Sequence, residues 1–114
     1  MVSICYDTFN DQINQMTSYF YIRCSTDQQD ETRQYEMALK SGIKPENIFV
    51  DKITGVSEYG DRPEYSKMVE QLKPFDCVHT EDLTRYGRSM VQMLVEINKL
   101  IERDIHVITE DGRL

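Results

Sequence analysis

The sequence has 114 residues, and its size and composition are those of a single globular domain. Hydrophobic residues make up 39% of the chain and charged residues 29%, which argues against intrinsic disorder. No apolar run approaches the about 20 residues of a membrane-spanning helix, and the start has no signal-peptide pattern, so we expect a cytoplasmic protein without a membrane partner. The net charge of −7 argues against a free-standing nucleic-acid-binding module, unless a local cluster of arginines outweighs that average.

The cysteines and histidines indicate neither a disulfide framework nor a metal site. Cys5, Cys24 and Cys77 lie far apart and are odd in number, which favours reduced thiols. His79 and His106 share no spacing typical of metal ligands.

Apolar and β-branched runs predict strands that alternate with helices from residue 18 onward. A first strand is predicted over residues 18–24, and the hydroxyl side chains of Ser25 and Thr26 precede glutamines in the spacing of a capping box for a helix. This helix should end near Gly42, with a second strand over residues 47–53. Its predicted apolar face consists of Tyr35, Ala38 and Leu39.

The second half of the chain continues the alternation. Residues 54–61 carry two glycines without an apolar period, which indicates a loop, and an aspartate, a proline and a glutamate then predict a helix start at residues 61–64. Strands are predicted over residues 77–80 and 106–109, with a capping box at Ser89 between them. The expected buried stripes are Tyr65, Met68, Val69 and Leu72 on one helix, and Met90, Met93, Leu94, Ile97, Leu100 and Ile101 on the other.

This order of elements predicts an α/β fold with a mainly parallel four-stranded sheet and helices on both faces. Residues 1–17 do not fit the scheme, and we expect them to be an N-terminal extension, a candidate for disorder, ahead of one domain over residues 18–114. Functional groups in parallel sheets lie at the carboxyl ends of the strands, so that edge is the place to search.

One serine and four arginines are predicted at this edge. Arg23 lies at the end of the first strand and Ser25 follows it, Asp51 lies at the end of the second strand, and the remaining arginines are Arg62, Arg85 and Arg88. A serine ahead of a helix is usually only an N-cap, and an arginine pair beside a glycine is usually a solvated turn. Their convergence on one edge of an acidic protein favours a shared function.

The chemistry that suits such a cluster is attack on a phosphodiester. Guanidinium groups match phosphate oxygens in pairs, and fixed cations stabilise the negative charge of a phosphoryl transition state. No histidine is close to Ser25 in sequence, and no carboxylate cluster suggests magnesium. We therefore expect nucleophilic displacement by serine with no metal or other cofactor.

Four motifs closely resemble the catalytic domain of serine recombinases, the resolvase/invertase family, over residues 18–112. They are Tyr21-x-Arg23-x-Ser25-Thr26-x-x-Gln29, Asp51-Lys52, Arg62-Pro63 and Leu83-Thr84-Arg85-Tyr86-Gly87-Arg88. The resemblance implies site-specific DNA recombination, in which the serine forms a 5′-phosphoserine link to DNA without ATP or metal. It also implies double-stranded DNA as substrate and self-association to a dimer and tetramer in the full-length parent.

The resemblance assigns a role to nine residues. Ser25 matches the nucleophile, and the phosphate-binding and leaving-group arginines match Arg23, Arg62, Arg85 and Arg88. Supporting positions match Tyr21, Gln34, Asp51 and Thr84. Thr84 stands where resolvases usually carry aspartate, which hints at the large serine integrase branch.

The family continues beyond the equivalent of Leu114 into a long dimerisation helix and a DNA-binding domain. We therefore expect this chain to be truncated before both and inactive alone. The main alternative is a truncated, non-catalytic remnant that acts as an interaction module.

Other α/β families do not fit the residues after the first strand. A receiver domain would need acids after the first strand, and a nucleotide-binding domain would need a glycine-rich turn there. A cysteine phosphatase would need an arginine six residues after Cys24, where Asp30 stands.

Overall fold

A computed structural model describes residues 16–25, 28–52, 62–87 and 89–110. Four strands alternate with three longer helices, as predicted: β1 Ser18–Cys24, α1 Gln28–Lys40, β2 Ile48–Lys52, α2 Pro63–Gln71, β3 Cys77–Thr80, α3 Met90–Glu102 and β4 His106–Thr109. Short 3-10 turns cover Pro45–Asn47 and Leu83–Tyr86. The predicted loop at 54–61 and residues 1–15 of the predicted extension lie outside the described residues.

The strands form one sheet in the order β2-β1-β3-β4, and all three pairings are parallel. In the register of β1 and β2, Arg23 lies opposite Asp51. The predicted α/β fold with a parallel four-stranded sheet is therefore confirmed, and all carboxyl ends meet at one edge.

Alternate residues of β1 enter two separate cores, one on each face of the sheet. Phe20 and Ile22 pack with Ala38 of α1 on one face. Tyr19 and Tyr21 pack on the other face with Leu72, which directly follows α2, and with residues of α2 and α3 that include Tyr65, Met68, Ile97 and Leu100. Since β1 is covered on both sides, it carries the continuous apolar run typical of a central parallel strand.

The expected burial of the α3 stripe is wrong for half of its members. Ile97 and Leu100 are buried and Met93 is partly buried, but Met90, Leu94 and Ile101 are exposed by 71%, 59% and 52%. At 100° per residue, the apolar positions of α3 cover more than half of the helix circumference, and one sheet face covers only part of that arc. Leu39 of α1 is likewise exposed, although its neighbour Ala38 is buried.

The predicted end of α1 at Gly42 is confirmed. Gly42 has φ +83°, its N–H donates to the Leu39 carbonyl at 3.0 Å, and the Ile43 N–H donates to the Ala38 carbonyl at 3.2 Å. This pair of hydrogen bonds is the Schellman motif, which glycine permits because it lacks a Cβ.

Candidate active site

The carboxyl edge of the sheet brings together most of the residues predicted for the site. Ser25 directly follows β1 and is exposed, and it lines a shallow recess of about 390 Å³ with Gln29, Asp30 and Arg33. Thr84 and Arg85 lie in the 3-10 turn after β3, and Arg62 directly precedes α2. Arg88 and Thr26 lie outside the described residues.

Arg23 connects three elements at this edge. Its side chain is buried, and its Nη1 donates to the Thr84 carbonyl at 3.3 Å. Its own carbonyl oxygen accepts from Arg85 Nη1 at 2.7 Å and from Gln34 Nε2 at 3.5 Å. The end of β1, two residues before Ser25, is therefore tied to both α1 and the turn after β3.

Asp51 caps helix α2 from the end of β2. Asp51 is 4% exposed, and its carboxylate accepts from the N–H groups of Glu64 and Tyr65, both at 3.0 Å. It also accepts from the Tyr21 hydroxyl at 2.9 Å. The helix N-cap residue, Arg62, makes no side-chain cap of its own. The predicted cap residue Asp61 lies outside the described residues, and Asp51 satisfies first-turn N–H groups in the way a capping side chain does.

Replacing Asp51 with asparagine should lower the free energy of unfolding by roughly 2–4 kcal/mol, because either orientation of the amide turns an NH₂ group toward a buried N–H donor. Tyr21→Phe removes one hydrogen bond only and should lower it by about 1 kcal/mol. Urea denaturation measures both, with Glu102→Gln, an exposed carboxylate, as the control that should stay within about 0.5 kcal/mol. Equal effects of Asp51→Asn and Glu102→Gln would contradict the capping role.

Arg62 is a buried cation with three kinds of partner. Its Nη1 donates to the Tyr86 carbonyl at 3.5 Å, and its Cζ lies 4.1 Å from the centre of the Tyr65 ring. Its Nη2 lies 4.0 Å from a carboxylate oxygen of Glu96 on α3. A buried guanidinium needs such compensation, and these contacts fix its position.

Arg85 is held by a backbone carbonyl and two carboxylates, since its Nε also lies 3.7 Å from Asp82 Oδ1. Its Nη1 donates to the Arg23 carbonyl, and its Nη2 donates to Glu81 Oε2 at 2.7 Å. The other carboxylate oxygen of Glu81 accepts from Arg33 at 2.5 Å. The neighbouring Thr84 gives both its N–H and its hydroxyl to Asp82. The sequence analysis does not predict that Glu81 and Arg33 lie beside Arg85. The spacing of four residues between Glu81 and Arg85 was a weak signal, but nothing in the sequence linked either residue to Arg33.

Burial disfavours ionisation of Tyr21 and Cys24. The pKa of Tyr21 is raised by desolvation and by the charge of Asp51, so its hydroxyl stays protonated and serves as a donor. The pKa of the Cys24 thiol is raised by burial and by Glu31 and Asp30, which disfavours the nucleophilic thiolate. Of the two adjacent residues at the end of β1, Cys24 is buried and Ser25 is exposed to solvent.

Gly87 allows the chain after Arg85 to pass close to α3. Its φ of 177° suits any residue, so its torsion angles do not require glycine. A Cβ at this position would lie 2.8 Å from the Gln92 Cβ and 3.0 Å from the Met93 nitrogen.

We expect Gly87→Ala to lower the free energy of unfolding by roughly 1–3 kcal/mol, because the added methyl group must displace the first turn of α3. Thermal or urea unfolding measures the loss. In a Gln92→Gly background, which removes the closest atom, the same substitution should have a smaller effect. An unchanged effect in that background would place the strain elsewhere.

Among the helices that the structure describes, none combines the length and the apolar character that a membrane span requires. Within that part there is also no group of three or more histidine, cysteine, aspartate or glutamate side chains arranged to bind a metal ion.

Comparison with known proteins identifies the family. Residues 18–113 match the family model "Resolvase, N terminal domain". A resolvase of Clostridium perfringens is 35% identical over 80 residues, which are 70% of this chain and 41% of that protein. The transposon Tn917 resolvase of Enterococcus faecalis is 34% identical over 82 residues, 72% of this chain and 42% of that protein. The DNA-invertase of Escherichia phage P1 is 33% identical over 86 residues, 75% of this chain and 44% of that protein.

The chain therefore belongs to the resolvase family. Within that family it is a serine recombinase catalytic domain, as the motifs around Ser25 and Arg85 predicted. The large serine integrase branch, predicted from Thr84, is not confirmed. The chain spans less than half the length of the curated relatives given above.

Proposed function

We propose that this domain cuts and rejoins DNA in site-specific recombination, with Ser25 as the nucleophile. The observation that carries the proposal is an exposed serine at the carboxyl edge of the sheet, where Arg23, Arg62 and Arg85 also lie. Membership of the resolvase family supports it, since the relatives are named resolvases and a DNA-invertase.

The proposed reaction is a reversible displacement at phosphorus. The Ser25 oxygen loses its proton and bonds to the scissile phosphorus, while the bond from phosphorus to the 3′ oxygen breaks and that oxygen takes up a proton. The 5′ end stays attached as a phosphoserine ester. Because this ester retains the bond energy, the free 3′ hydroxyl can attack it and rejoin DNA without ATP or a metal ion.

The arginines have two roles in this proposal. Arg23 and Arg62 are held in place by carbonyl oxygens, so they provide fixed positive charge that needs no reorganisation during the reaction. Arg85 and Arg88 would contact the scissile phosphate and the leaving oxygen, for which a planar guanidinium offers paired donors.

The supporting residues would act through these groups. Asp51 and Tyr21 fix the start of α2 and with it Arg62, while Gln34 contacts the carbonyl that also anchors Arg85. Thr84 supplies the carbonyl that holds the Arg23 side chain. All four are therefore proposed as positioning residues.

The partners proposed for the whole protein are double-stranded DNA and further copies of itself in a dimer and a tetramer, and its proposed location is the cytoplasm. The alternative function is a non-catalytic interaction module. It predicts that the domain assembles with active recombinases but never becomes covalently attached to DNA.

A chimera tests the proposal against this alternative. Residues 18–113 would replace the matched segment of the Clostridium perfringens resolvase, and the chimera would be incubated with DNA carrying the site of that relative. We expect recombined DNA and, on a denaturing gel, a covalent protein–DNA species. A chimera that binds the DNA as the parental resolvase does, yet yields neither product, would favour the interaction module.

A further inference from the structure

We propose that Glu81 masks Arg85 while the domain is free of DNA, and that Arg33 retains Glu81 when a phosphate takes its place on Arg85. This inference rests on the proposed function, because it assumes that Arg85 receives a DNA phosphate. It assigns roles to Glu81 and Arg33, two residues outside the predicted site.

The contacts place one carboxylate between two guanidinium groups. Glu81 Oε2 accepts from Arg85 Nη2 at 2.7 Å and from Arg33 Nη2 at 3.1 Å, while its Oε1 accepts from Arg33 Nη1 at 2.5 Å. Arg33 thus holds both oxygens of Glu81, whereas Arg85 holds one. A release of Glu81 from Arg85 would leave a complete two-pronged pair with Arg33.

The exposure of the three side chains suits such an exchange. The side chains of Arg85 and Glu81 are 19% and 18% exposed, so solvent and small anions reach the contact. The Arg33 side chain is 51% exposed, so it has room to move with the Glu81 carboxylate toward solvent. Asp30 also accepts from Arg33 at 2.7 Å, which keeps this arginine close to the recess beside Ser25.

In this exchange, each charged group keeps a partner of opposite charge. In the DNA-free domain, Arg85 donates to the Glu81 carboxylate and the Arg23 carbonyl, and its Nε lies 3.7 Å from Asp82 Oδ1. A phosphate that binds at Nη2 therefore has to compete with Glu81, while Asp82 can remain in place. When the phosphate binds, Arg85 keeps an anionic partner and Glu81 keeps Arg33. Without Arg33, the displaced carboxylate would lose its remaining cation, which is unfavourable at a partly buried position.

A purely supportive role of Glu81 predicts the opposite result. If Glu81 only orients the guanidinium of Arg85 toward phosphate, its removal should weaken phosphate binding. If Glu81 competes with phosphate, its removal should strengthen binding, and removal of Arg33 should weaken binding only while Glu81 is present.

The test is a double-mutant cycle on the 114-residue chain with inorganic phosphate as the probe. Phosphate would be titrated at constant ionic strength, and the side-chain N–H resonance of Arg85 would report its binding. We expect Glu81→Gln to tighten binding about threefold to tenfold and Arg33→Gln to weaken it by a similar factor. The double variant should bind as Glu81→Gln does. Glu46→Gln and Lys40→Gln make the same charge changes elsewhere on the surface and should each change binding less than about twofold.

Weaker binding in Glu81→Gln, or an additive effect of the two substitutions, would overturn the exchange while leaving the phosphate site intact. Arg85→Gln in the Glu81→Gln background separates this from failure of the proposed function. It should abolish the gain in phosphate affinity. If phosphate affinity is the same with and without Arg85 in every background, Arg85 binds no phosphate, and both the exchange and its assigned role in catalysis are wrong.

Discussion

Ser25→Ala should abolish the covalent protein–DNA species while leaving DNA binding unchanged. Ser25 is exposed and the substitution removes a single hydroxyl group, so the domain should still fold, which unfolding curves check. In the chimera with the Clostridium perfringens resolvase, strand cleavage should fall by roughly a thousandfold or more, as expected for loss of a nucleophile. A denaturing gel after incubation with DNA measures the covalent species, and a shift assay measures binding.

Ser41→Ala is the matched control, because it removes an exposed serine hydroxyl just beyond the other end of α1. It should cleave as the unsubstituted chimera does. A covalent band of normal intensity in Ser25→Ala would show that another residue attacks the phosphate.

Arg85→Lys should slow cleavage by about 10²–10³-fold although it preserves the charge. The Nη1 of Arg85 donates to the Arg23 carbonyl, which leaves Nη2 for the proposed contact with phosphate, and a lysine ammonium on a flexible stem cannot make both contacts in this fixed geometry. Single-turnover cleavage by the same chimera measures the effect, with unfolding curves to show that the fold is retained.

Arg103→Lys provides the control for this substitution. Arg103 also donates to backbone carbonyls, those of Val69 and Leu72, but near the end of α2 and away from Ser25. Its replacement should leave the cleavage rate unchanged within about twofold, since it touches none of the proposed reacting groups. Cleavage by Arg85→Lys within about threefold of the unsubstituted rate would instead assign Arg85 a surface role.

Local patterns were sufficient to predict the elements and the edge at which the site lies. The apolar run of β1, the glycine after α1 and the hydroxyl before α3 each act within a few residues, and the structure places all three as expected. The Ser89 hydroxyl, for example, accepts from the Gln92 N–H at 3.2 Å. Parallel pairing then requires that residues after β1, β2 and β3 meet.

The wrong or missing predictions concern contacts that sequence spacing does not encode. The α3 stripe contains more apolar residues than one sheet face can cover, and spacing alone does not show which of them, such as Met90, remain outside. The pairing of Arg33 with Glu81 joins residues 48 positions apart. The capping of α2 by Asp51 joins strand β2 to a helix that begins 12 residues later in the chain. Such contacts depend on how neighbouring elements pack, which the fold determines and the local sequence does not.

Arg85 contacts residue 23 through the backbone carbonyl oxygen of that residue and not through its side chain. Point substitutions change side chains and leave that oxygen in place, so the anchor is insensitive to the identity of the residue at position 23. The Arg23 side chain, in contrast, makes its own contact with the Thr84 carbonyl. A substitution at position 23 therefore keeps the acceptor for Arg85, while it removes the hydrogen bond that ties β1 to the turn before Arg85.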